Sequence, residues 1–494
     1  ATPEIYTLSL HDALPILSVL IKVQPKYFNL ECFSIKSPVM KKKSLTRRTF
    51  VKNTSLGVAG AALSANGITS FYTNAIQDTN KPALLGGTPV RPKDRILGVS
   101  WPIYDDSDIQ LYLDAFKSNV WSEYSNIERE RVFQVEKKYA ALMGVNYCVA
   151  TSSGTAALET AQRVIDIGPG DEVITQTNTF IATALSTFNL FAIPVFIDSD
   201  PETFMIDADK IEERINENTR AIIPVHIGGA AANMDKIMAI AKKHNLIVIE
   251  DACQAHMAEW RNKKLGTIGD MGCFSFQAGK SLCSGEGGAV IGNDEYLMAK
   301  AKGYTHIGKD PRDKGRVFAG SNFRMTPFQA SILSGQIRRI EDQSTLRDEN
   351  AAYLEKLLGE IKGVRPTKKY PGQTRRGYYI YQMIYDKKHF NGLPKQKFRE
   401  AMRAEGIPFG NGIDSSLHSN PFIETYFNHR AFKKIYTKER LEKYRKENLC
   451  PVNEMIDRET GLSLGQRVFL GTSKDMEDIV TAIVKIQKNS SALL

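Results

Sequence analysis

The sequence predicts an α/β fold built on a mostly parallel seven-stranded sheet, followed by a smaller α+β domain at the C-terminal end. Two observations support this fold class. Between about residues 147 and 294, short apolar runs alternate with helical patterns, and those runs are apolar on both faces. Strands of that kind belong to parallel sheets covered by helices. The predicted strands are 147–151, 172–175, 193–197, 221–225, 247–250, 273–276 and 289–291.

Helical patterns connect the predicted strands and lead into the smaller domain. Apolar side chains recur there with the helical period of about 3.6 residues. The predicted helices are 207–215, 234–243, 329–353 and 396–404. After the long helix, residues 378–385 predict a strand of the smaller domain. The sequence therefore predicts a large domain over residues 81–335 and a small domain over residues 336–494.

The first 39 residues are predicted to lie outside the protein proper. Residues 4–16 resemble the translation of a common sequencing adapter, and an internal methionine, Met40, follows them. Residues 1–39 are therefore predicted to be non-native read-through.

Residues 40–80 have the order of a secretory signal and its linker. The pair Arg47-Arg48 lies in a basic stretch that precedes the weakly apolar residues 56–63, as in a twin-arginine signal. The alternative, a basic amphipathic helix, is disfavoured because two glycines interrupt the apolar stretch. This order predicts a periplasmic or exported protein, and a cytoplasmic one if the signal is not used.

Composition excludes several classes of partner. A chain of 494 residues, 42% of them hydrophobic, has enough apolar side chains to bury a large core. The first 39 residues balance to zero charge and residues 40–80 contribute +5, so residues 81–494 carry +5 of the formal +10. A net charge this small does not indicate binding to nucleic acid, and no run in the catalytic part reaches the ~18 apolar residues of a membrane span.

The cysteines lack Cys-x-x-Cys spacing and are predicted to be small core residues. No metal is therefore expected, although an exported chain could pair two of the cysteines.

Lys280 and Asp251 are the candidate catalytic residues. Lys280 lies among small residues in the run 274–288, and Asp251 ends the apolar run 246–251. A lysine held in this way can lose its proton and attack an aldehyde, while a carboxylate at a strand end can keep a pyridinium nitrogen protonated. Each residue alone has an ordinary alternative, a surface lysine before a glycine-rich turn or an aspartate that caps a helix. Together they indicate pyridoxal 5'-phosphate.

The residues around this pair resemble the core of a known family. Residues 250–256, 269–276 and 285–288, with Lys280, are similar to the DegT/DnrJ/StrS aminotransferases, and the resemblance runs over about residues 84–476. It implies a fold-type I pyridoxal-phosphate transferase, like aspartate aminotransferase, that acts on keto sugars or keto cyclitols. A related branch carries histidine at the lysine position and dehydrates sugars, so lysine here implies transamination.

The predicted phosphate site follows the first strand. Residues 152–158 begin a helix whose free backbone N–H groups and dipole suit a phosphate, which we assign to Gly154, Thr155 and Ala156. A plain helix N-cap is the alternative. By resemblance, Ser275 hydrogen-bonds the same phosphate; its alternative is a core hydroxyl bonded within its own sheet.

The resemblance implies three further contacts with the cofactor. Phe180 stacks on the ring, unless it is an ordinary core residue. Gln254 lies near the phenolic oxygen of the ring. Asn322, in the run 320–325, reaches the phosphate of the neighbouring subunit, so the active site requires a homodimer.

The predicted function is transfer of an amino group from glutamate or glutamine to a keto sugar or keto cyclitol. Lys280 binds the cofactor covalently and then moves protons, while Asp251 keeps the ring nitrogen protonated. The run 462–469 is similar to the cyclitol-type branch, and export favours a free keto sugar or inosose over a nucleotide sugar. Two alternatives stay open: an exported, non-catalytic sensor or binding protein on the same fold, and another pyridoxal-phosphate-dependent reaction.

Overall fold

The computed structural model describes residues 81–494, apart from Lys93, 123–129, 313–314, Val317 and 413–415. The predictions for residues 1–39 and for the signal at 40–80 therefore lie outside the described residues. Everything described belongs to one compact unit of the chain.

The strands build one large and two small sheets. They are β1 (Tyr147–Thr151), β2 (Glu172–Gln176), β3 (Ile193–Ile197), β4 (Thr219–Ile223), β5 (Ile247–Asp251), β6 (Glu259–Trp260), β7 (Lys263–Lys264), β8 (Met271–Ser275), β9 (Gly288–Gly292), β10 (Val364–Pro366), β11 (Gln373–Arg375), β12 (Ile380–Tyr385) and β13 (Gly461–Gly465). The large sheet has the order β1-β9-β8-β5-β4-β2-β3, and β9 alone runs antiparallel to its neighbours. The predicted mostly parallel seven-stranded sheet is confirmed, with strand ends shifted by at most about two residues.

Burial explains why these strands could be recognised from the sequence. Every residue of β2, β3, β8 and β9 is buried, as expected for strands covered on both faces. The register places Asp251 of β5 beside Cys273 of β8, and Ser275 beside Gly288 of β9. Because β1 ends at Thr151 opposite the same Gly288, the turn after β1 lies next to Ser275.

The helices cover the large sheet and surround the smaller ones. They are α1 (Asp106–Lys117), α2 (Arg131–Met143), α3 (Gly154–Val164), α4 (Ala182–Phe188), α5 (Met234–His244), α6 (Glu295–Thr305), α7 (Pro327–Ile337), α8 (Ile340–Gly359), α9 (Lys395–Ala404), α10 (Phe422–Asn428), α11 (Arg430–Ile435), α12 (Lys438–Glu447), α13 (Pro451–Met455) and α14 (Ser473–Lys488). The predicted helices at 234–243 and 396–404 correspond to α5 and α9.

Two predicted helices were wrong in detail. The pattern over 329–353 is two helices, α7 and α8, because the chain breaks at Arg339, whose φ is −112°. The side chain of Arg339 instead binds Asp105, the N-cap of α1. The pattern over 207–215 is two short 3-10 turns that join at Ile211, and the side chain of Asp207 caps the first of them by accepting the N–H of Asp209.

A second hydrophobic core lies around the sheet β10-β12-β13. Helices α8, α9 and α14 pack on it, and Leu97 from the start of the described chain joins them. The buried guanidinium of Arg91 binds Asp475 at 2.8 Å and Asp478 at 2.6 Å on α14. The segment before α1 therefore packs with C-terminal elements, and the division at residues 335 and 336 stays a prediction.

The helices α10 to α12 form a segment that the sequence analysis did not predict. Their aromatic side chains pack against α4 and β3 of the large sheet, in a cluster that includes Phe188, Phe427, Phe432 and Tyr444. Ring centroids of Phe427 and Tyr444 lie 5.1 Å apart in an edge-to-face arrangement. This segment therefore supports α4, whose N-terminal end carries residues of the site.

Three searches of the described residues gave negative results. None of the helices between residues 81 and 494 that the structure describes combines the length and apolar character that crossing a membrane demands. No group of three or more His, Cys, Asp or Glu side chains in this part of the chain is arranged to hold a metal ion. The five described cysteines form no disulfide, and four of them are buried.

Candidate active site

A cavity of about 470 Å³ lies at the carboxyl edge of the parallel strands. This edge is where α/β sheets bind their ligands. Seven of the nine predicted site residues line the cavity: Gly154, Thr155, Phe180, Asp251, Gln254, Ser275 and Lys280. Ala156 and Asn322 do not line it.

The turn from β1 into α3 forms one end of the cavity. Ser153 is the N-cap of α3, and its hydroxyl accepts the N–H of Ala156 at 3.1 Å. The N–H group predicted for the phosphate at Ala156 is thus already bonded, which leaves those of Gly154 and Thr155 at the helix start. A Cβ atom at Gly154 would lie 2.7 Å from the Cβ atom of Ser275, so only glycine lets the helix approach β8 this closely.

Asp251 lies at the end of β5 with its carboxylate held by neutral donors. The hydroxyl of Thr183 donates to Oδ2 at 2.7 Å, and the N–H of Cys253 donates to Oδ1 at 3.2 Å. The hydroxyls of Thr179 and Thr183 are themselves 2.9 Å apart. Within the described residues, no lysine or arginine pairs with this buried carboxylate. The carboxylate can therefore receive a cationic N–H group from a ligand.

The neighbouring acid, Glu250, points to the other face of the sheet and has a structural role. It accepts the N–H groups of Gly266, Ile268 and Gly269 at 2.6–2.7 Å. Nε2 of His226 lies 2.9 Å from Glu250, and Nδ1 of His226 accepts the N–H of Ala232. Since Nδ1 accepts, the proton lies on Nε2, and the neutral ring donates to Glu250.

Gln254 presents its amide nitrogen to the cavity. Its Oε1 accepts the N–H of Gly228 at 2.8 Å, and this contact assigns the orientation of the amide. Phe180 is 52% exposed in the chain and lines the cavity mouth, so the alternative that it is a core residue is wrong.

Lys280 lies in the turn between β8 and β9 and is half-buried. Its backbone N–H donates to the carbonyl of Gln277 at 2.9 Å. Its Nζ is 4.4 Å from the ring centroid of Tyr379, which comes from the segment before β12. The amino group therefore lies between the turn after β8 and the segment that leads into β12.

Asn322 lies outside the cavity of its own chain. It is exposed and pairs with His306 in an isolated bridge. The carbonyl of its neighbour Phe323 accepts the N–H of Ser152 at 2.7 Å, so the segment runs beside the start of α3.

His256 hydrogen-bonds the backbone at the end of β8, where Ser275 lies. Its Nε2 bonds the carbonyl of Ser275 at 2.9 Å, and its Nδ1 lies 3.2 Å from the hydroxyl of Tyr139. Burial lowers the pKa of His256 to about 4, so the ring is neutral at physiological pH. It orients the end of β8 and does not line the cavity.

The sequence analysis missed several cavity residues. They are Ser153, Leu158, Thr179, Ala182, Thr183, Cys253, Gln277, Glu286, Tyr379 and Ile380. Thr179 and Thr183 flank Phe180 with helical spacing, a signal that could have identified them. Tyr379 gave no such signal, because it belongs to a segment that the pattern described as an ordinary strand.

The fold and the cavity define an α/β transferase of the aspartate-aminotransferase type. The crystal structure of 3-amino-5-hydroxybenzoic acid synthase is similar to the chain, with a TM-score of 0.68 and 28% identity over 80% of this chain and 98% of that one. The chain belongs to the DegT/DnrJ/EryC1/StrS aminotransferase family, whose model matches residues 102–441. The predicted family is confirmed, and the protein is an enzyme of a pyridoxal-phosphate-dependent aminotransferase family.

The chain matches nearly the whole length of two relatives. The L-glutamine:2-deoxy-scyllo-inosose aminotransferase of Streptoalloteichus tenebrarius is 35% identical over 431 residues, which are 83% of this chain and 98% of that enzyme. A Micromonospora echinospora protein named as an L-glutamine:3-amino-2,3-dideoxy-scyllo-inosose aminotransferase is 33% identical over 424 residues, 84% of this chain and 99% of that protein.

Proposed function

We propose that this aminotransferase binds pyridoxal 5'-phosphate in the cavity and transfers an amino group from glutamine or glutamate to a keto cyclitol or keto sugar. The observation that carries the proposal is the convergence of Lys280, Asp251 and Ser275, from separate segments of the chain, on one cavity. Its volume of about 470 Å³ suits a cofactor together with a small substrate.

The start of α3 fits the cofactor phosphate. The N–H groups of Gly154 and Thr155 and the hydroxyl of Ser275 would donate to it, and the dipole of α3 favours its negative charge. Glycine at position 154 lets the start of α3 lie close to Ser275, as a phosphate bound by both requires. A side chain at position 154 would fill the space between them. The contribution of Ala156 is the weakest of the proposed set because its N–H is bonded to Ser153.

The other cavity residues fit the ring of the cofactor. Asp251 is a buried carboxylate with only neutral donors, so the protonated ring nitrogen would supply the missing cation. Gln254 would offer its amide nitrogen to the phenolic oxygen. Phe180 has an exposed ring face at the cavity mouth that would stack on the cofactor.

Each residue then has a defined task in the reaction. Bound there, pyridoxal phosphate would supply an electron sink next to the carbon that exchanges its amino group. Nζ of Lys280 would bind the cofactor at rest, and when free it would carry a proton between that carbon and the C4′ carbon of the cofactor. Asp251 holds the proton on the ring nitrogen, and Thr183 holds Asp251 in place.

Glutamine as donor and an inosose as acceptor are favoured by the two relatives, both named as glutamine-dependent inosose aminotransferases. The cavity wall beyond Lys280 carries Gln277, Glu286 and Tyr379, whose polar groups suit a polyhydroxylated acceptor. A free keto sugar is the second acceptor class.

Three further predictions belong to the same proposal. The site would be shared in a homodimer, supported by the exposure of Asn322 beside the start of α3. The enzyme would be exported by the twin-arginine route, supported by the order of residues 40–63. It would consist of a large domain over 81–335 and a small domain over 336–494, supported by the separate cores around β5 and around β12.

Another reaction on the same fold is the second candidate, favoured by the likeness to a synthase at 28% identity. The test supplies purified protein with cofactor, a panel of inososes and keto sugars, and glutamine that is isotope-labelled at its α-amino group. Appearance of the label in an amino cyclitol or an amino sugar supports the proposal, and consumption of acceptor without label transfer supports the second candidate. The variant Lys280→Ala should be inactive, whereas Lys300→Ala, a lysine paired with Asp166 away from the cavity, should be active.

A further inference from the structure

Tyr379 faces the amino group of Lys280 across the cavity. Nζ of Lys280 lies 4.4 Å from the centroid of the tyrosine ring, and both side chains line the cavity. A lysine ammonium within about 6 Å of a tyrosine ring is attracted to the ring face. The contact connects the turn after β8 with the segment that leads into β12, although these have separate hydrophobic cores.

The backbone on the Tyr379 side is fixed. The carbonyl of Tyr379 accepts the N–H of Gln466 at 3.0 Å. The side-chain oxygen of Gln466 accepts two bonds, at 2.6 and 3.2 Å, from the buried guanidinium of Arg347. The preceding residue, Tyr378, has a φ of 48°, a left-handed conformation that a bulky side chain rarely adopts. Strain of this kind persists where the surrounding structure holds it, and here it lies directly before Tyr379, which lines the cavity.

The backbone on the Lys280 side is fixed by the same arginine. Nε1 of Trp101 donates to the carbonyl of Ala278 at 2.8 Å, within the turn that carries the lysine. The guanidinium of Arg347 lies 5.7 Å from the Trp101 ring. Arg347 therefore supports the lysine turn through Trp101 and the tyrosine segment through Gln466.

We propose that Tyr379 is a positioning residue whose ring holds the free amino group of Lys280 in the cavity whenever that group is not bonded to the cofactor. The inference rests on the proposed function of Lys280 and extends it. A free lysine side chain samples many rotamers, and holding it in one place has an entropic cost. The ring face offsets part of that cost and keeps the amino group where the aldehyde of the cofactor arrives.

The test compares Tyr379→Leu, which removes the ring, with Tyr379→Phe, which keeps the ring and removes the hydroxyl. Cofactor-free protein is mixed with pyridoxal phosphate, and the absorbance change that accompanies bonding to Lys280 is followed in time. We expect Tyr379→Phe to react at the wild-type rate and Tyr379→Leu to react roughly threefold to tenfold more slowly, as loss of a cation–π contact predicts.

Two controls separate positioning of the lysine from the shape of the cavity. The analogue 4-deoxypyridoxine 5'-phosphate has the same ring and phosphate but no aldehyde, and it should bind all three proteins equally well. The variant Phe133→Leu removes a ring that lies at the same 4.4 Å from another amino group, that of Lys137, outside the cavity. It should leave the reaction rate unchanged.

Three outcomes would overturn the proposal: a wild-type rate for Tyr379→Leu, an equally slow Tyr379→Phe, or a parallel loss of analogue binding in Tyr379→Leu. If the wild-type protein bonds no cofactor at Lys280, the proposed function fails instead. Acetylation of Lys280 by acetic anhydride in cofactor-free protein, measured by mass spectrometry, still tests the contact in that case. A small reagent in solution needs no positioned amine and reaches the side chain more often once the ring no longer holds it, so faster acetylation in Tyr379→Leu than in Tyr379→Phe supports the contact, and equal rates overturn it.

Discussion

A Cβ atom at Gly154 would lie only 2.7 Å from the Cβ atom of Ser275. The absence of a side chain therefore lets the start of α3 meet the end of β8, so that backbone N–H groups and a hydroxyl face one point. The same closeness occurs at Gly288, where a Cβ atom would lie 2.4 Å from the carbonyl oxygen of Ser153. The proposed phosphate site thus depends on small residues for space.

The substitution Gly154→Ala should weaken cofactor binding on the order of 10- to 100-fold, because it displaces Ser275 and costs one or two charge-assisted hydrogen bonds. Titration of cofactor-free protein with pyridoxal phosphate measures the loss. The matched control is Gly359→Ala at the end of α8, where nothing lies within 4 Å of the added atom. Equal affinity of the Gly154→Ala variant and the control would contradict the phosphate site.

Asp251→Asn should leave the cofactor bound but reduce turnover by a factor on the order of 10² to 10⁴. The amide keeps the size of the side chain but loses its charge. Asp251→Glu should be milder, and so should Thr183→Val, which removes only the hydroxyl that bonds Oδ2. Steady-state turnover and cofactor content measure the two effects separately. Near-normal turnover by Asp251→Asn would refute its role at the ring nitrogen.

The parts of the molecule that could be predicted from the sequence are those whose signal is local. Strands such as β2 and β3 are buried on both faces and therefore appear as continuous apolar runs. Lys280 and Asp251 stand out because their chemistry is unusual beside a strand end. Tyr379 could not be predicted, because its contact with Lys280 joins segments about a hundred residues apart. The bond from Ala156 to Ser153 is likewise a detail of helix capping that the motif does not reveal.

Acid should destabilise the fold through His256. Burial lowers its pKa from 6.5 to about 4, so between these pH values the unfolded chain binds a proton that the folded chain does not. The free energy of unfolding therefore falls as the pH falls through this window, by up to ~3 kcal/mol from this group.

The variant His256→Gln isolates that contribution, since glutamine can also donate to the carbonyl of Ser275 and accept from Tyr139. Urea denaturation of the cofactor-free protein at about pH 7 and about pH 5 gives the comparison. We expect the wild type to lose more stability than the variant between the two. Identical losses would show that His256 does not titrate in this range.

The twin-arginine signal can be tested without the enzyme. Residues 40–80 are fused to a reporter that is active only after export in folded form, and the fusion should be exported. Replacing Arg47 and Arg48 together by lysine preserves the charge and should abolish export. Export that survives this double substitution, or that continues in a host without the twin-arginine pathway, would contradict the signal.

The shared site can be tested by mixing two defective variants. Asn322→Ala should weaken cofactor binding by removing one donor to the phosphate, while Lys280→Ala removes the lysine. If Asn322 of one subunit completes the site of the other, one site in a mixed dimer carries both defects and its companion carries neither.

Activity should then reappear when the two variants exchange subunits, and approach half of the wild-type value per mixed dimer. The physical reason is that Asn322 is exposed and outside the cavity of its own chain, while its segment lies against the start of α3 through the bond from Ser152 to Phe323. The baseline is the activity of each variant, Asn322→Ala or Lys280→Ala, taken alone through the same exchange procedure. If both residues act within one chain, every site in the mixture keeps one defect, and no activity returns above that baseline.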